Sequence, residues 1–230
     1  MIGRTLAVVT ARGGSKRLPG KNVMQLGGLS LLGWTASAAR EAGLPTPVLS
    51  TDDPMIAEEG RRVGLRVPFM RPQDLSGDDV TTLPVVLHAL NQMCALDEAN
   101  YESVFLLQPT SPFRGAELLK NINDLFVASA APAVISVRPV GVALGAIYSS
   151  RDGTLAPVLA RSAETAYVPS GAGYLIRAQV LESSGSFVPP ETRFVEHNGI
   201  STLDIDTPSD WALAEAVLAT GMPVPDLRQH

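Results

Sequence analysis

The stretch Thr5-Leu6-Ala7-Val8-Val9-Thr10-Ala11-Arg12-Gly13-Gly14-Ser15-Lys16-Arg17-Leu18-Pro19-Gly20-Lys21-Asn22 decides the fold class. Its first six residues form a short, β-branched apolar run that Gly13 and Gly14 bring to a stop, the pattern of a buried strand. Its remainder puts four cations, three glycines and a hydroxyl within twelve residues. In an open α/β sheet, ligands bind beyond the carboxyl ends of the strands. Glycines at that position let backbone N–H groups turn inward as an anion nest, and the cations neutralise what sits there. The natural guest is a polyphosphate. A solvated basic turn is the plainer alternative, but it has no need of so many glycines directly after a buried strand. This is not a Walker loop, because Asn22 follows Gly20-Lys21 where Ser or Thr belongs, and it lacks G-x-G-x-x-G spacing.

Outward from this loop, strand-like and helix-like segments alternate. Helical spacing predicts a helix over 30–42, stopped by Gly43 and Pro45, and 47–51 reads as the next strand. Asp53-Pro54 is a helix start, with Asp as N-cap and Pro in the first turn, and Gly64 is the stop. Residues 66–69 are strand-like, 81–97 helical, 103–108 a buried strand, 115–130 a helix and 133–138 another strand. Strands separated by such helices imply βαβ units, a mostly parallel sheet and right-handed crossovers. The rhythm breaks over 139–169, where Gly, Pro and short apolar pieces at 143–148 and 155–159 suggest hairpins projecting from the sheet. Strand character resumes at 171–176, 183–199 reads as irregular, and Thr207-Pro208 opens a final helix to 220. The expectation is one α/β domain, residues 1–230, with an inserted excursion at about 138–169.

Composition narrows the class. At 230 residues, 45% hydrophobic and 18% charged, the chain can build a full core without staples. Its single cysteine, Cys94, excludes a disulfide framework and a multi-cysteine zinc site. A net charge of −5 argues against a general nucleic-acid or anionic-membrane binder. The weakly polar run 125–137 is too short for a span of roughly 20 residues, and the N-terminal apolar stretch is too brief for a signal peptide. The default is a soluble protein of the reducing cytoplasm. Twenty glycines and eighteen prolines are more than the usual share, so their clustering carries information.

Two further constellations could carry chemistry. In Leu203-Asp204-Ile205-Asp206-Thr207-Pro208 an extended segment would point Asp204 and Asp206 the same way. Two hard carboxylates beside phosphates suit Mg²⁺; helix capping by Asp206 or Thr207 is the bland alternative. In Leu106-Leu107-Gln108-Pro109-Thr110-Ser111-Pro112-Phe113-Arg114 a strand ends in a proline-bracketed turn that would expose Gln108, Thr110, Ser111 and Arg114. Such neutral donors and acceptors suit a hydroxyl-rich ligand, although Ser111 before Pro112 also reads as a simple cap. Hydrolase chemistry finds no support: there is no Gly-x-Ser-x-Gly elbow, and His88, His197 and His230 lack ligand spacing. His88 and Cys94 read as residues of one partly buried helix.

These pieces together resemble the acylneuraminate (CMP-sialic acid, nonulosonic acid) cytidylyltransferase family. The family pattern A-R-x-x-S-K-x-x-P-x-K-N is answered by Arg12, Ser15, Lys16, Pro19, Lys21 and Asn22, and S-T-D by Ser50-Thr51-Asp52. R-P-x-x-L-x-x-D is answered by Arg71, Pro72, Leu75 and Asp78, L-Q-P-T-S-P-x-R by Leu107 through Arg114, and D-I-D-T by Asp204 through Thr207. The resemblance runs from Leu6 to about Leu218. It implies a Rossmann-like nucleotidyltransferase sheet flanked by helices, a homodimer formed through the excursion, and transfer of CMP from CTP to a sugar acid with release of pyrophosphate.

Position by position, the resemblance implies that Arg12, Gly13, Ser15, Lys16 and Lys21 hold the triphosphate, with Asn22 lining the nucleotide pocket. Arg71, Val80 and Thr82 match positions that read cytosine. Gln108, Ser170, Tyr174 and Phe187 fall on the acceptor side, and Asp204 and Asp206 match the Mg²⁺ ligands. Arg12, Lys16, Lys21 and Asp206 would act directly on the reacting phosphates. The departures are on the acceptor side. Ser170-Gly171-Ala172-Gly173-Tyr174 replaces the family's Asn-Gly-Ala-x-Tyr, and Phe187-Val188 stands where paired aromatics are usual. The acceptor is therefore open: N-acetylneuraminate, another nonulosonic acid, or a phosphonate. A nucleotidyltransferase with another nucleotide preference, such as a molybdenum-cofactor or sugar-phosphate type, is one alternative, although its Arg-Met-Gly turn does not match Arg17-Leu18-Pro19-Gly20. A non-catalytic nucleotide-binding module is the other.

Overall fold

The computed structural model describes residues 4–142, 146–151, 154–157, 165–222 and 224. Strand β1 (Thr5–Thr10) leads through the cradle loop and a small hairpin, β2 (Gln25–Leu26) and β3 (Leu29–Ser30), into α1 (Leu31–Glu41). Then come β4 (Val48–Ser50), α2 (Pro54–Arg62), α3 (Thr82–Leu96), β5 (Ser103–Leu107), α4 (Ala116–Ser129) and β6 (Ala133–Pro139). A separate two-stranded hairpin, β7 (Tyr148–Arg151) and β8 (Thr154–Pro157), precedes β9 (Tyr167–Arg177), α5 (Ala178–Ser184), β10 (Arg193–Glu196) and α6 (Pro208–Ala219).

The main sheet has the order β10-β6-β9-β5-β1-β4. Pairings β1–β4, β1–β5 and β6–β10 are parallel, and β9 alone runs antiparallel to its neighbours β5 and β6. Both faces are covered, as near-continuous apolar strands require. Val9, Phe105, Leu107, Val134 and Leu175 pack with α1 and α4, whereas Leu6, Val8, Val104, Leu106 and Ile176 pack with α3 and α5. A third cluster bears on function: Leu18 of the cradle loop, Trp34, Phe113, Ile205 and Trp211 form one apolar knot. Trp34 meets Phe113 edge-on at 5.4 Å.

The helix starts form where the caps were expected. Asp53 Oδ1 accepts from Met55 N and Ile56 N at 2.7 and 3.1 Å. Thr207 and Asp210 close a reciprocal capping box at α6. Three expectations are corrected. The strand at 66–69 reduces to a single bridge between Val48 and Arg66. The strand at 171–176 extends over Tyr167–Arg177. The irregular 183–199 segment contains the edge strand β10. Of the 138–169 excursion, residues 143–145, 152–153 and 158–164 lie outside the described residues, as does His230. Among the described residues no helix is long and apolar enough to cross a membrane.

Candidate functional site

A cleft of about 480 Å³ opens beyond the carboxyl ends of β1 and β5. Arg12, Ser15, Lys16, Arg17, Lys21 and Asn22 line one side, and Gln108, Thr110, Asp204 and Asp206 line the other. The sequence ends of this cleft are some 190 positions apart, and the apolar knot brings them together. Ile205 is fully buried in that knot, and its N–H donates to Thr110 O at 2.7 Å. The flanking carboxylates of the extended segment, Asp204 and Asp206, consequently face the cleft.

The cradle loop is held from below. Arg71 is buried, and its Nη2 donates to Ala11 O at 2.8 Å and Ser50 O at 3.3 Å. Burial pushes the Arg71 pKa down, and nearby Asp52 opposes the shift. Arg71 Nε and Ser50 Oγ are buried with no hydrogen-bond partner among the described residues. Asn22, 5% exposed, reaches Arg12 O at 3.4 Å. Gly13 corrects the anion-nest expectation at its own position, because its N–H points to Asp52 Oδ1 at 3.2 Å instead of into the cleft. A Cβ there would stand 2.5 Å from Asp53 Oδ2, so a larger residue would have to displace the carboxylate that caps α2.

The charges of the cleft are paired with one another. Arg12 Nη1 donates to Asp78 Oδ1 at 2.5 Å, and Lys16 pairs with the other oxygen of Asp78. Across the cleft, Lys21 Nζ, nearly buried, donates to Asp206 Oδ1 at 2.7 Å and Ile205 O at 2.9 Å. Arg17 takes the other Asp206 oxygen. Burial works to raise the Asp206 pKa, but Lys21 and Arg17 override it, and the group lies below the ordinary carboxylate range. Asp204 behaves oppositely: desolvation and the charge of Asp206 push it up, against a hydrogen bond from the Thr110 hydroxyl. Arg17 and Asp78 were not among the residues singled out for the site. Arg17 lies in the quoted loop and Asp78 ends the R-P-x-x-L-x-x-D pattern, but nothing in the sequence shows which carboxylate each cation meets.

Gln108 lies against Gly171, whose φ of +74° and bare Cα leave room for the carboxamide. Arg114 and Ser111, expected to be exposed, are both buried. The Arg114 guanidinium donates to Ser111 O at 3.0 Å, Ala172 O at 2.8 Å, Thr35 Oγ1 at 3.1 Å and Gln108 O. Burial pulls its pKa down to about 9, so it stays charged near neutrality and acts as an internal strut. Ser170 is buried as well. Its hydroxyl lies 2.8 Å from Ser136 Oγ and 2.7 Å from His197 Nε2, and His197 Nδ1 lies 3.0 Å from Ser201 Oγ. The Tyr174 and Phe187 rings meet at a tilt, centroids 5.7 Å apart, on the apolar side toward α3 and α5, away from the cleft lining. Val80 and Thr82 stand at a turn and at the first residue of α3, also outside that lining. His88 and Cys94 are partly buried residues of α3, as expected; His88 meets Phe69 edge-on at 5.3 Å. The structure thus brings the cations of the loop and the carboxylates of the 204–206 segment together with Gln108, while Ser170, Tyr174 and Phe187 lie outside the cleft lining.

The family model described as cytidylyltransferase matches residues 6–216. The chain is 35% identical over 225 residues to CMP-N,N'-diacetyllegionaminic acid synthase of Legionella pneumophila, covering 94% of this chain and 96% of that one. It is 32% identical over 125 residues to pseudaminic acid cytidylyltransferase of Campylobacter jejuni, 54% of this chain and 53% of that one. Among solved structures it is similar to CMP:2-keto-3-deoxy-manno-octonic acid synthetase complexed with CTP, with a TM-score of 0.69 at 16% identity, covering 95% of this chain and all of that one. A 4-diphosphocytidyl-2C-methyl-D-erythritol synthase gives a TM-score of 0.68 at 14% identity, over 94% and 98% of the two chains. The structural likenesses speak for the fold; the family model and the Legionella relative span nearly the whole length, and on them the chain belongs to the cytidylyltransferase family.

Proposed function

We propose that this chain transfers the cytidylyl group of CTP to an acid sugar of the nonulosonic class and releases pyrophosphate. The observation that carries the reading is the single cleft in which Arg12, Lys16 and Lys21 face Asp204, Asp206 and the Gln108 carboxamide. The relatives named for diacetyllegionaminic and pseudaminic acid support the acceptor class. In the reaction an acceptor hydroxyl oxygen attacks the α-phosphorus. A new P–O bond forms, the bond from the α-phosphorus to the α–β bridging oxygen breaks, and pyrophosphate leaves with the electron pair. Arg12 and Lys16 lie where they can neutralise the departing diphosphate, and a fixed positive field of this kind is the main catalytic resource in phosphoryl and nucleotidyl transfer. Lys21 holds the 205–206 backbone and carboxylate in place, so the two sides of the cleft keep their spacing. Gln108, seated on Gly171, offers a donor and an acceptor to a hydroxyl-rich substrate. Arg71, with a buried Nε that has no partner among the described residues, is the group we assign to the cytosine side.

Asp204 and Asp206 suit a divalent cation, Mg²⁺ in our reading. They are two hard oxygen donors, and the raised pKa of Asp204, driven by burial and by the neighbouring charge of Asp206, marks a carboxylate pair that gains from added positive charge. When bound, such an ion supplies Lewis-acid stabilisation of charge on the α-phosphate. We further infer a homodimer through the 138–169 excursion and a cytoplasmic setting, which sedimentation equilibrium and cell fractionation test respectively.

The deciding experiment is a pyrophosphate-release screen in which CTP is offered with legionaminic-type, other ulosonic and phosphonate acceptors, and GTP is offered in its place. Release with CTP and an ulosonic acid is the expected outcome. Turnover with GTP alone, or none with any acid sugar, would refute the assignment.

A further inference from the structure

Asp78 sits at the tip of a turn, Gly77 to Val80, closed by the Val80 N–H to Gly77 O bond at 3.3 Å. The turn projects over the cradle loop, and Asp78 lines the cleft although it belongs to neither the loop nor the 204–206 segment. Both of its carboxylate oxygens are engaged, one by Arg12 Nη1 and one by Lys16 Nζ. Those two cations are the ones the polyphosphate reading assigns to the leaving diphosphate. Among the described residues Asp78 is the ion partner of both, and they hold its carboxyl below the usual range, Lys16 first and Arg12 second.

A carboxylate and a phosphate carry the same sign and use the same donors. A polyphosphate that takes Arg12 and Lys16 therefore meets Asp78 as a competitor, since a like charge held a few ångströms away raises its energy in a cleft walled by protein. The turn is built to yield. Its flanks are fixed, by buried Arg71 on one side and α3 on the other, whereas Gly77, Asp78 and Asp79 are exposed. Two partly exposed ion pairs are individually weak, so the exchange is reversible.

We propose that Asp78 is a resident counter-anion of the cradle: it competes with the incoming polyphosphate for Arg12 and Lys16, and binding swaps one anion for the other. The proposal rests on the polyphosphate reading of the loop. It adds that the apparent affinity for a phosphate ligand is reduced by the fraction of molecules in which Asp78 holds the cations.

The test is titration calorimetry of the intact chain with inorganic pyrophosphate at low salt, comparing wild type, Asp78→Asn and Asp79→Asn. The neighbouring Asp79→Asn makes the same change in net charge without touching either ion pair. Asp78→Asn is expected to bind about three- to tenfold tighter than wild type, an advantage that shrinks as salt screens the pairs, while Asp79→Asn changes affinity less than about twofold. Amide hydrogen exchange over 77–81 is expected to speed up in wild type when pyrophosphate binds. Equal or weaker binding by Asp78→Asn, an equal gain in Asp79→Asn, or slower exchange over 77–81 would each overturn the exchange while leaving the cradle intact. Absence of pyrophosphate binding in all three proteins would overturn the cradle reading and this proposal with it.

Discussion

Arg114 offers the sharpest test of how the proposed acceptor side is held. Its guanidinium reaches four acceptors from three parts of the chain: Gln108 O and Ser111 O in the turn after β5, Ala172 O in β9 and Thr35 Oγ1 in α1. Hydrogen bonds from a charged donor contribute roughly 1.5–3 kcal/mol each. Against them stands desolvation: a pKa pulled from 12.5 to about 9 corresponds to roughly 5 kcal/mol, at 1.36 kcal/mol per unit. The difference leaves a net contribution of about 1–7 kcal/mol, centred near 4 kcal/mol. Arg114→Met fills comparable volume and should lower unfolding free energy by that amount in a urea titration. Arg114→Lys keeps the charge but loses the planar fork, so it should fall between the two. Because the strut ends on the backbone of Gln108 and Ala172, surviving Arg114→Lys enzyme should show KM for the acceptor raised more than KM for CTP. A urea midpoint for Arg114→Met equivalent to less than 1 kcal/mol of lost stability would show that the four contacts are individually dispensable.

Arg12→Ala and Asp206→Asn should each reduce turnover by at least ~100-fold in a pyrophosphate-release assay with folding intact by circular dichroism; near-wild-type rates would remove them from the reacting centre. Gly13→Ala drives a Cβ into the Asp53 carboxylate and should cost about 1–2 kcal/mol in chemical denaturation as the α2 cap is displaced. His197 is held neutral by burial, its pKa pulled down to about 4 with the Arg114 charge contributing. The unfolded chain therefore binds the extra proton between its own value of roughly 6.5 and the folded value. Stability should fall by up to about 3 kcal/mol as pH drops through that window. His197→Gln should lose this component of the pH dependence; identical profiles for the two proteins would contradict the burial argument.

The alternation of strands and helices was legible in the sequence because each element carries its own period and its own punctuation. Asp53-Pro54 and Thr207-Pro208 announce helices that form as read. Direction was less legible. Nothing local to 167–177 distinguishes a strand that returns antiparallel from one that follows a crossover, and the stretch 170–176 of β9 is largely buried either way. The short edge strand Arg193–Glu196 has too little periodicity to separate it from coil. At the site, residue types pointed to phosphate and to carboxylate ligation, but partners did not. Arg114 in a proline-bracketed turn looks exposed until β9 and α1 close over it, and Lys21 meets Asp206 only because Leu18 and Ile205 share one apolar knot. Those contacts span most of the chain, and only tertiary packing sets them.

The antiparallel course of β9 has a consequence for how this protein can change. Strands β6 and β9 are zipped together at the rim, through Val137 with Pro169, Arg138 with Val168, Pro139 with Tyr167 and the Val140 N–H to Ala166 O bond of 2.8 Å. The excursion thus leaves and re-enters the sheet at one point, as an arm clasped at its base. A parallel return would oblige every insertion to span the sheet and keep a helix in register. An arm so clasped can lengthen, shorten or exchange its sequence while the register of six strands stays fixed. Ser170 and Gly171 lie just past the clasp, so variation in the arm is felt first at the proposed acceptor side and last at the cradle.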